Sequence, residues 1–164
     1  MIPSFRAFLA VALLALAAVF APAGGVMAQD DAQVTRGKQL WACRAGCTNC
    51  HGWAGNGEAH EPYPPGANLR ETTLDAKQIG EVISCGRIAT GMPFFDKKAY
   101  TDDRCYGVTE ADIGTDKPPA GASLRTQEIE AIAAYIVARV KDRGPITAEE
   151  CQDYFGGSGD CAGN

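Results

Sequence analysis

Histidine and methionine are scarce in this chain, two and three in 164 residues, so chemistry that needs an imidazole or a thioether has few places to go. Basic runs are missing as well. Fifteen Lys and Arg stand against 20 Asp and Glu, a net charge of −5, which excludes the basic footprint of a nucleic-acid-binding protein. No segment alternates apolar and polar residues for long enough to make a half-buried strand, and no internal repeat or low-complexity tract interrupts the pattern. The longest apolar run, Ala7 to Ala21, is 15 residues. A bilayer-spanning helix needs about 20, so stable membrane insertion is not expected. What remains is 46% hydrophobic and 21% charged, the balance of a globular domain rather than a disordered chain.

The apolar run follows Arg6 and leads into Pro22, Gly24-Gly25 and Val26-Met27-Ala28. This is the three-part layout of a secretory signal peptide, with the cut expected near Ala28. The expected organisation is a signal peptide over 1–28, one domain over 29–143 and a C-terminal extension over 144–164. Export places the product in the periplasm. Its 136 residues suffice for one core, its charge is 14 − 20 = −6, and its only methionine is Met92, beside the histidines His51 and His60.

All seven cysteines belong to the exported part, an oxidising setting in which thiols pair or are otherwise engaged. Three crowd into Cys43-Arg-Ala-Gly-Cys47-Thr-Asn-Cys50-His51. Cys-x-x-Cys-His in an exported chain reads as a covalent haem attachment site. Two thiols three positions apart on one helical turn can each add to a vinyl group of one haem, and His51 then meets the iron as an axial ligand. A thioredoxin-like pair would need a strand-helix context that is absent. A zinc site would need ligands from separated segments, because four within nine residues of one helix cannot surround a metal tetrahedrally. A plain disulfide leaves His51 without a role.

The second axial ligand comes from Ile88-Ala-Thr-Gly-Met92-Pro93-Phe94-Phe95, where Gly91 and Pro93 shape a loop around the thioether. On its own Met92 would read as a core filler; opposite a haem it reads as the sixth ligand. His60 lies nine residues beyond His51 and belongs to an exposed loop.

With these residues assembled, the sequence resembles the class I c-type cytochromes from about Val34 to Val140. The resemblance implies an all-α cytochrome c fold of about four to five helices around one covalently bound haem c. Gly37 and Trp41 match the family's glycine and aromatic residue on the first helix. Pro64-Pro65-Gly66 matches its proline loop, which implies that the Pro65 carbonyl accepts a hydrogen bond from His51. Periodicity agrees with this order. Leu74, Ile79, Val82 and Ile83 share one face of a helix from Thr72 or Thr73 to Gly86. Ile129, Ile132, Ala133, Ile136 and Val140 make an apolar stripe on a helix from Thr126, its cap, to Arg143.

Two segments exceed the family pattern. Asp96 to Tyr106 is polar and reads as a surface insertion, and Gly144 to Asn164 adds a short helix with capping-box spacing at Thr147 and Glu150. Once the haem takes Cys47 and Cys50, five cysteines remain. The favoured pairs are Cys85 with Cys105 and Cys151 with Cys161, leaving Cys43 free and buried. Cys43 bonded to a tail cysteine is the other scheme, since spacing alone does not fix connectivity. An iron held by His51 and Met92 has no open position, which points to an electron carrier rather than an enzyme. A haem enzyme or gas sensor with a labile Met92 is the alternative. The resemblance implies redox-protein partners: a periplasmic dehydrogenase of the quinoprotein kind, an oxidase or another cytochrome. The negative charge suggests a partner with a basic patch, and Lys97 and Lys98 lie close enough to Met92 in sequence to alter the local sign.

Overall fold

The computed structural model describes residues 25–156. The apolar run and Cys161, the expected partner of Cys151, lie outside them. Six α-helices are found among the described residues, with no strand beyond isolated bridges. They are α1 (Gly25–Gln39), α2 (Thr48–His51), α3 (Ala76–Cys85), α4 (Glu110–Ile113), α5 (Thr126–Arg139) and α6 (Ala148–Phe155). The all-α expectation holds, and no helix among the described residues is long and apolar enough to cross a membrane.

Helix α1 crosses α5 at Gly37. The contact is so close that a Cβ there would collide with the Ala131 carbonyl oxygen and lie 2.7 Å from the Tyr135 Cβ, so only glycine lets the two backbones meet. Beyond α1 the chain makes one π turn, Leu40–Arg44, which brings Leu40 and Trp41 inward. They join Ile79 and Ile83 of α3 and Ile132 and Ile136 of α5 in the main core. The four stripe residues of α5 and Val140 just beyond it are all buried.

Helix boundaries differ from the sequence expectation where side chains or distant loops intervene. Helix α3 starts at Ala76 rather than at Thr72 or Thr73. The Asp75 carboxylate accepts the Gln78 N–H at 2.8 Å, and the Gln78 side chain accepts the Asp75 N–H at 2.9 Å, a reciprocal cap that sets the first turn. Helix α5 ends at Arg139 rather than Arg143. Val140 and Lys141 both donate to the Ile136 carbonyl, and Asp142, at φ +59°, donates instead to the Arg70 carbonyl at 2.9 Å. Nor is Thr126 the cap. Arg125 is the extended residue before the helix, and its N–H is taken by Glu128 at 2.9 Å.

One further segment corrects the sequence reading, while the extension forms the short helix expected of it. The stretch expected as a surface insertion buries Ala99, Tyr100 and Cys105 against Cys85 in a second small core, drawn in by the expected Cys85–Cys105 disulfide. The extension is anchored too. Thr147 accepts the Glu150 N–H at 3.1 Å to start α6, while the Glu150 carboxylate turns away to hold the buried Arg70 bidentately at 2.7 and 2.9 Å. The remaining Arg70 donors reach the carbonyls of Ala54, Gly144 and Pro145. A buried guanidinium needs such full pairing to be tolerated, and here it ties α6 to the loops around it. Cys43 has a free thiol but is exposed, not buried, and it forms no bond to the tail.

Glu128 joins the first and last helices of the core, pairing with Arg36 at 3.2 Å and Arg44 at 3.5 Å. The Arg125 N–H is the main cause holding its carboxyl below the usual range, helped by the arginines. A carboxyl whose pKa is depressed on folding stabilises the native state above its unfolded value and loses that contribution as pH falls through the folded value. In urea titrations, the stability advantage of the native protein over Glu128→Gln should be constant above about pH 5 and shrink progressively below it.

Candidate functional site

The Cys-x-x-Cys-His motif occupies a single turn of helix. Cys47 precedes α2, Cys50 and His51 close it, and the backbone N–H groups of Cys50 and His51 both point to the Cys47 carbonyl. Cys47 and Cys50 are free thiols on the same side of this turn as a crevice. Burial pushes the Cys47 thiol up to about 12, so it stays protonated.

The crevice has two adjoining lobes, about 600 and about 370 Å³, within the range of cofactor sites. Cys47, His51, Arg87, Met92 and Phe95 line both lobes. Ile79 and Ile83 of α3 and Ile132 and Ile136 of α5 form an apolar wall at the inner lobe. Cys50, Tyr63, Pro64 and Pro65 line the outer one. The fold thus brings Met92, some forty residues away in sequence, to the cavity that receives His51. A further cavity of about 610 Å³ lies between α1, α5 and α6. No Cys, His or Met is among its described lining residues, so donor chemistry rather than volume singles out the crevice. His60 is exposed and lines neither lobe; its backbone N–H is spent on the Asn49 carbonyl.

His51 is held in one orientation. The Gly66 N–H donates to the Cys50 carbonyl at 2.7 Å, which lays the glycine against the ring so closely that a Cβ would stand 2.7 Å from His51 Nδ1. The carbonyl presented to Nδ1 by this docking is that of Ala67, at 2.9 Å, not that of Pro65. The residue resting on the imidazole is Gly66, and the turn beyond it carries the Ala67 oxygen back over Nδ1. Because a carbonyl only accepts, Nδ1 carries the proton and Nε2 keeps its lone pair. Burial lowers the His51 pKa below the ordinary histidine value, outweighing the opposite effect of the Ala67 bond. A neutral imidazole with one nitrogen locked by a carbonyl is the arrangement of a metal ligand. Trp41 packs beside it, ring centroids 6.0 Å apart.

Two residues of the site had escaped sequence reasoning. Ala67 acts through its backbone and leaves no mark in the side-chain pattern. Arg87 is the one Lys, Arg, Asp or Glu among the described lining residues of the outer lobe. Its signal was a lone cation five residues before Met92. Lys97 and Lys98, close to Met92 in sequence, are exposed and line neither lobe.

Paired thiols on one turn, an oriented imidazole and a thioether around an apolar crevice fit a haem by the chemistry of the donor set. Together with the all-α fold they define a class I-like c-type cytochrome domain, a haem-binding, electron-transfer class. Residues 32–110 match the family model described as cytochrome c oxidase, cbb3-type, subunit III. No curated protein and no solved structure matches the chain.

A methyl group on Gly66 must displace the imidazole or the Cys50 carbonyl, whereas one on Gly91 would have nothing within 4 Å. Gly66→Ala should therefore cost about 1–3 kcal/mol of stability by overpacking. Gly91→Ala should stay within about 0.5 kcal/mol of the unaltered protein in denaturant titrations.

Proposed function

We propose that this chain is a periplasmic monohaem c-type cytochrome that carries single electrons between redox proteins. The observation that carries the reading is the convergence of Cys47, Cys50, His51 and Met92 on one apolar crevice. When bound, haem c supplies a one-electron iron couple. Cys47 and Cys50 would tether it through thioethers, and the iron would be held by His51 Nε2, kept available by the Ala67 carbonyl, and by the Met92 thioether. Thioether ligation raises the potential, and the isoleucine wall reinforces this by keeping water from the centre. His51 and Met92 would together satisfy the iron and leave it no place for oxygen or substrate, which favours a carrier over an enzyme.

The mouth of the outer lobe carries Tyr63, Pro64, Pro65, Pro93 and Pro119, with Arg87 as its charge. The acidic balance of the whole chain is therefore not repeated in the lining of this lobe. Brief electron-transfer encounters use small interfaces of this kind. The matched family takes its name from a cytochrome c oxidase subunit, which supports an oxidase among the partner classes; a periplasmic dehydrogenase remains the donor class implied by the resemblance. The expected signal peptide supports the periplasmic location.

The exported protein, produced with haem-maturation machinery, should gain the mass of one haem and show a low-spin spectrum that carbon monoxide does not shift. Met92→Ala should lower the potential and open the iron to carbon monoxide, while His60→Ala should leave the spectrum unchanged. A colourless product of unaltered mass, or the opposite ranking of the two variants, defeats the assignment.

A further inference from the structure

The loop that presents Met92 runs from Gly86 to Phe95, and it is held by the segment that follows it. Tyr100 is almost fully buried, and its Oη donates to the Cys85 carbonyl at 2.7 Å. Tyr106 donates to the next carbonyl, that of Gly86, also at 2.7 Å. These two carbonyls close the C-terminal end of α3, where a helix runs out of its own donors. Both tyrosines stand in the left-handed region, at φ +63° and +58°, a conformation that bulky side chains rarely adopt and that persists only when the surroundings enforce it. The disulfide from Cys85 to Cys105 fixes the same point. Further along, the Ala89 N–H donates to the Asp116 carbonyl at 2.8 Å and the Phe94 N–H to the Pro119 carbonyl at 3.0 Å. Residues 96–121 thus form a collar around the Met92 loop, packed on its own small core with Ile88 and Phe94 of that loop.

We propose that Tyr100 and Tyr106 are positioning residues for Met92, their phenols fixing the two carbonyls from which its loop departs and so holding the thioether in the crevice. The inference rests on the reading of Met92 as the sixth ligand. Neither tyrosine lines the crevice; each acts through the backbone. Without the phenol O–H the Cys85 carbonyl keeps its burial but loses its partner, so the closed loop is penalised relative to an open one in which water reaches that oxygen. The open population rises, and with it the access of competing ligands to the iron.

The test uses the holoprotein with Tyr100→Phe, Tyr106→Phe and the double substitution, titrated with free imidazole while the thioether-to-iron band is followed. An external ligand that binds only the open form has an apparent affinity proportional to the open fraction. Each single substitution should tighten apparent imidazole binding by about fivefold, the effect of one lost hydrogen bond, and the double by more than either single. Tyr106 is 40% exposed, so its phenylalanine variant keeps the test available should the buried Tyr100 variant fold poorly. Helical unfolding in denaturant, followed in parallel, should weaken by no more than the equivalent of the same fivefold, because the bond is lost from the closed native state alone. Unchanged imidazole affinity, or a loss of global stability larger than the affinity shift, as for a bond that supports the fold without closing the loop, overturns the positioning role. Absence of the thioether band in the unaltered protein is a separate result, overturning the Met92 assignment and this inference with it.

Discussion

A histidine can present a bare nitrogen to a metal only if its other nitrogen is protonated and held, and this requirement organises the region around His51. The Ala67 carbonyl meets Nδ1 at 2.9 Å, and the Gly66 amide anchors the same turn to the Cys50 carbonyl. The loop after α2 must therefore return over the helix that carries the thiols, and a side chain at residue 66 would prevent it. Burial keeps the imidazole neutral. Without that one bond the ring could rotate, and neither the paired thiols nor the apolar wall would specify which nitrogen faced the crevice.

Around this fixed imidazole the rest of the chain works as two supports. The crossing of α1 and α5 at Gly37 builds the wall on the Trp41 side, and Arg70 binds the C-terminal extension to the loops that close over it. The second support lies across the crevice, where the collar of residues 96–121 holds the Met92 loop to the end of α3. The two supports use different physics. The first is close packing of apolar surface, and the second is a set of directional bonds to backbone groups that the helix end leaves open. A loop fastened at its ends can place a thioether without itself becoming helical.

Much of this was legible in the residues. The Cys47, Cys50 and His51 spacing, the single methionine in a Gly-Pro-flanked loop and the period of the α5 stripe each carry a physical meaning that survives in the fold. The Cys85–Cys105 bond was among the favoured pairs, although counting alone did not fix the connectivity. The misses share a cause. Ala67 contributes only a carbonyl, so its role depends on how a loop folds back, not on its side chain. The insertion looked like surface because its sequence is polar, yet its tyrosines turn inward on left-handed backbone, which no period reveals. The early end of α5 came from a bond to Arg70, seventy-two residues before Asp142 in the chain.

The sequence by itself pointed to the class of chemistry, since thiols at that spacing, two histidines and, past the expected cut, one methionine are all that is on offer, and local periodicity marked the two helices that line the inner lobe. Tertiary structure decided which carbonyl orients His51, which cation stands at the mouth of the crevice and what holds the Met92 loop. Those choices belong to backbone groups and side chains that meet only after distant segments pack, and their energies come from geometry that a linear pattern does not encode.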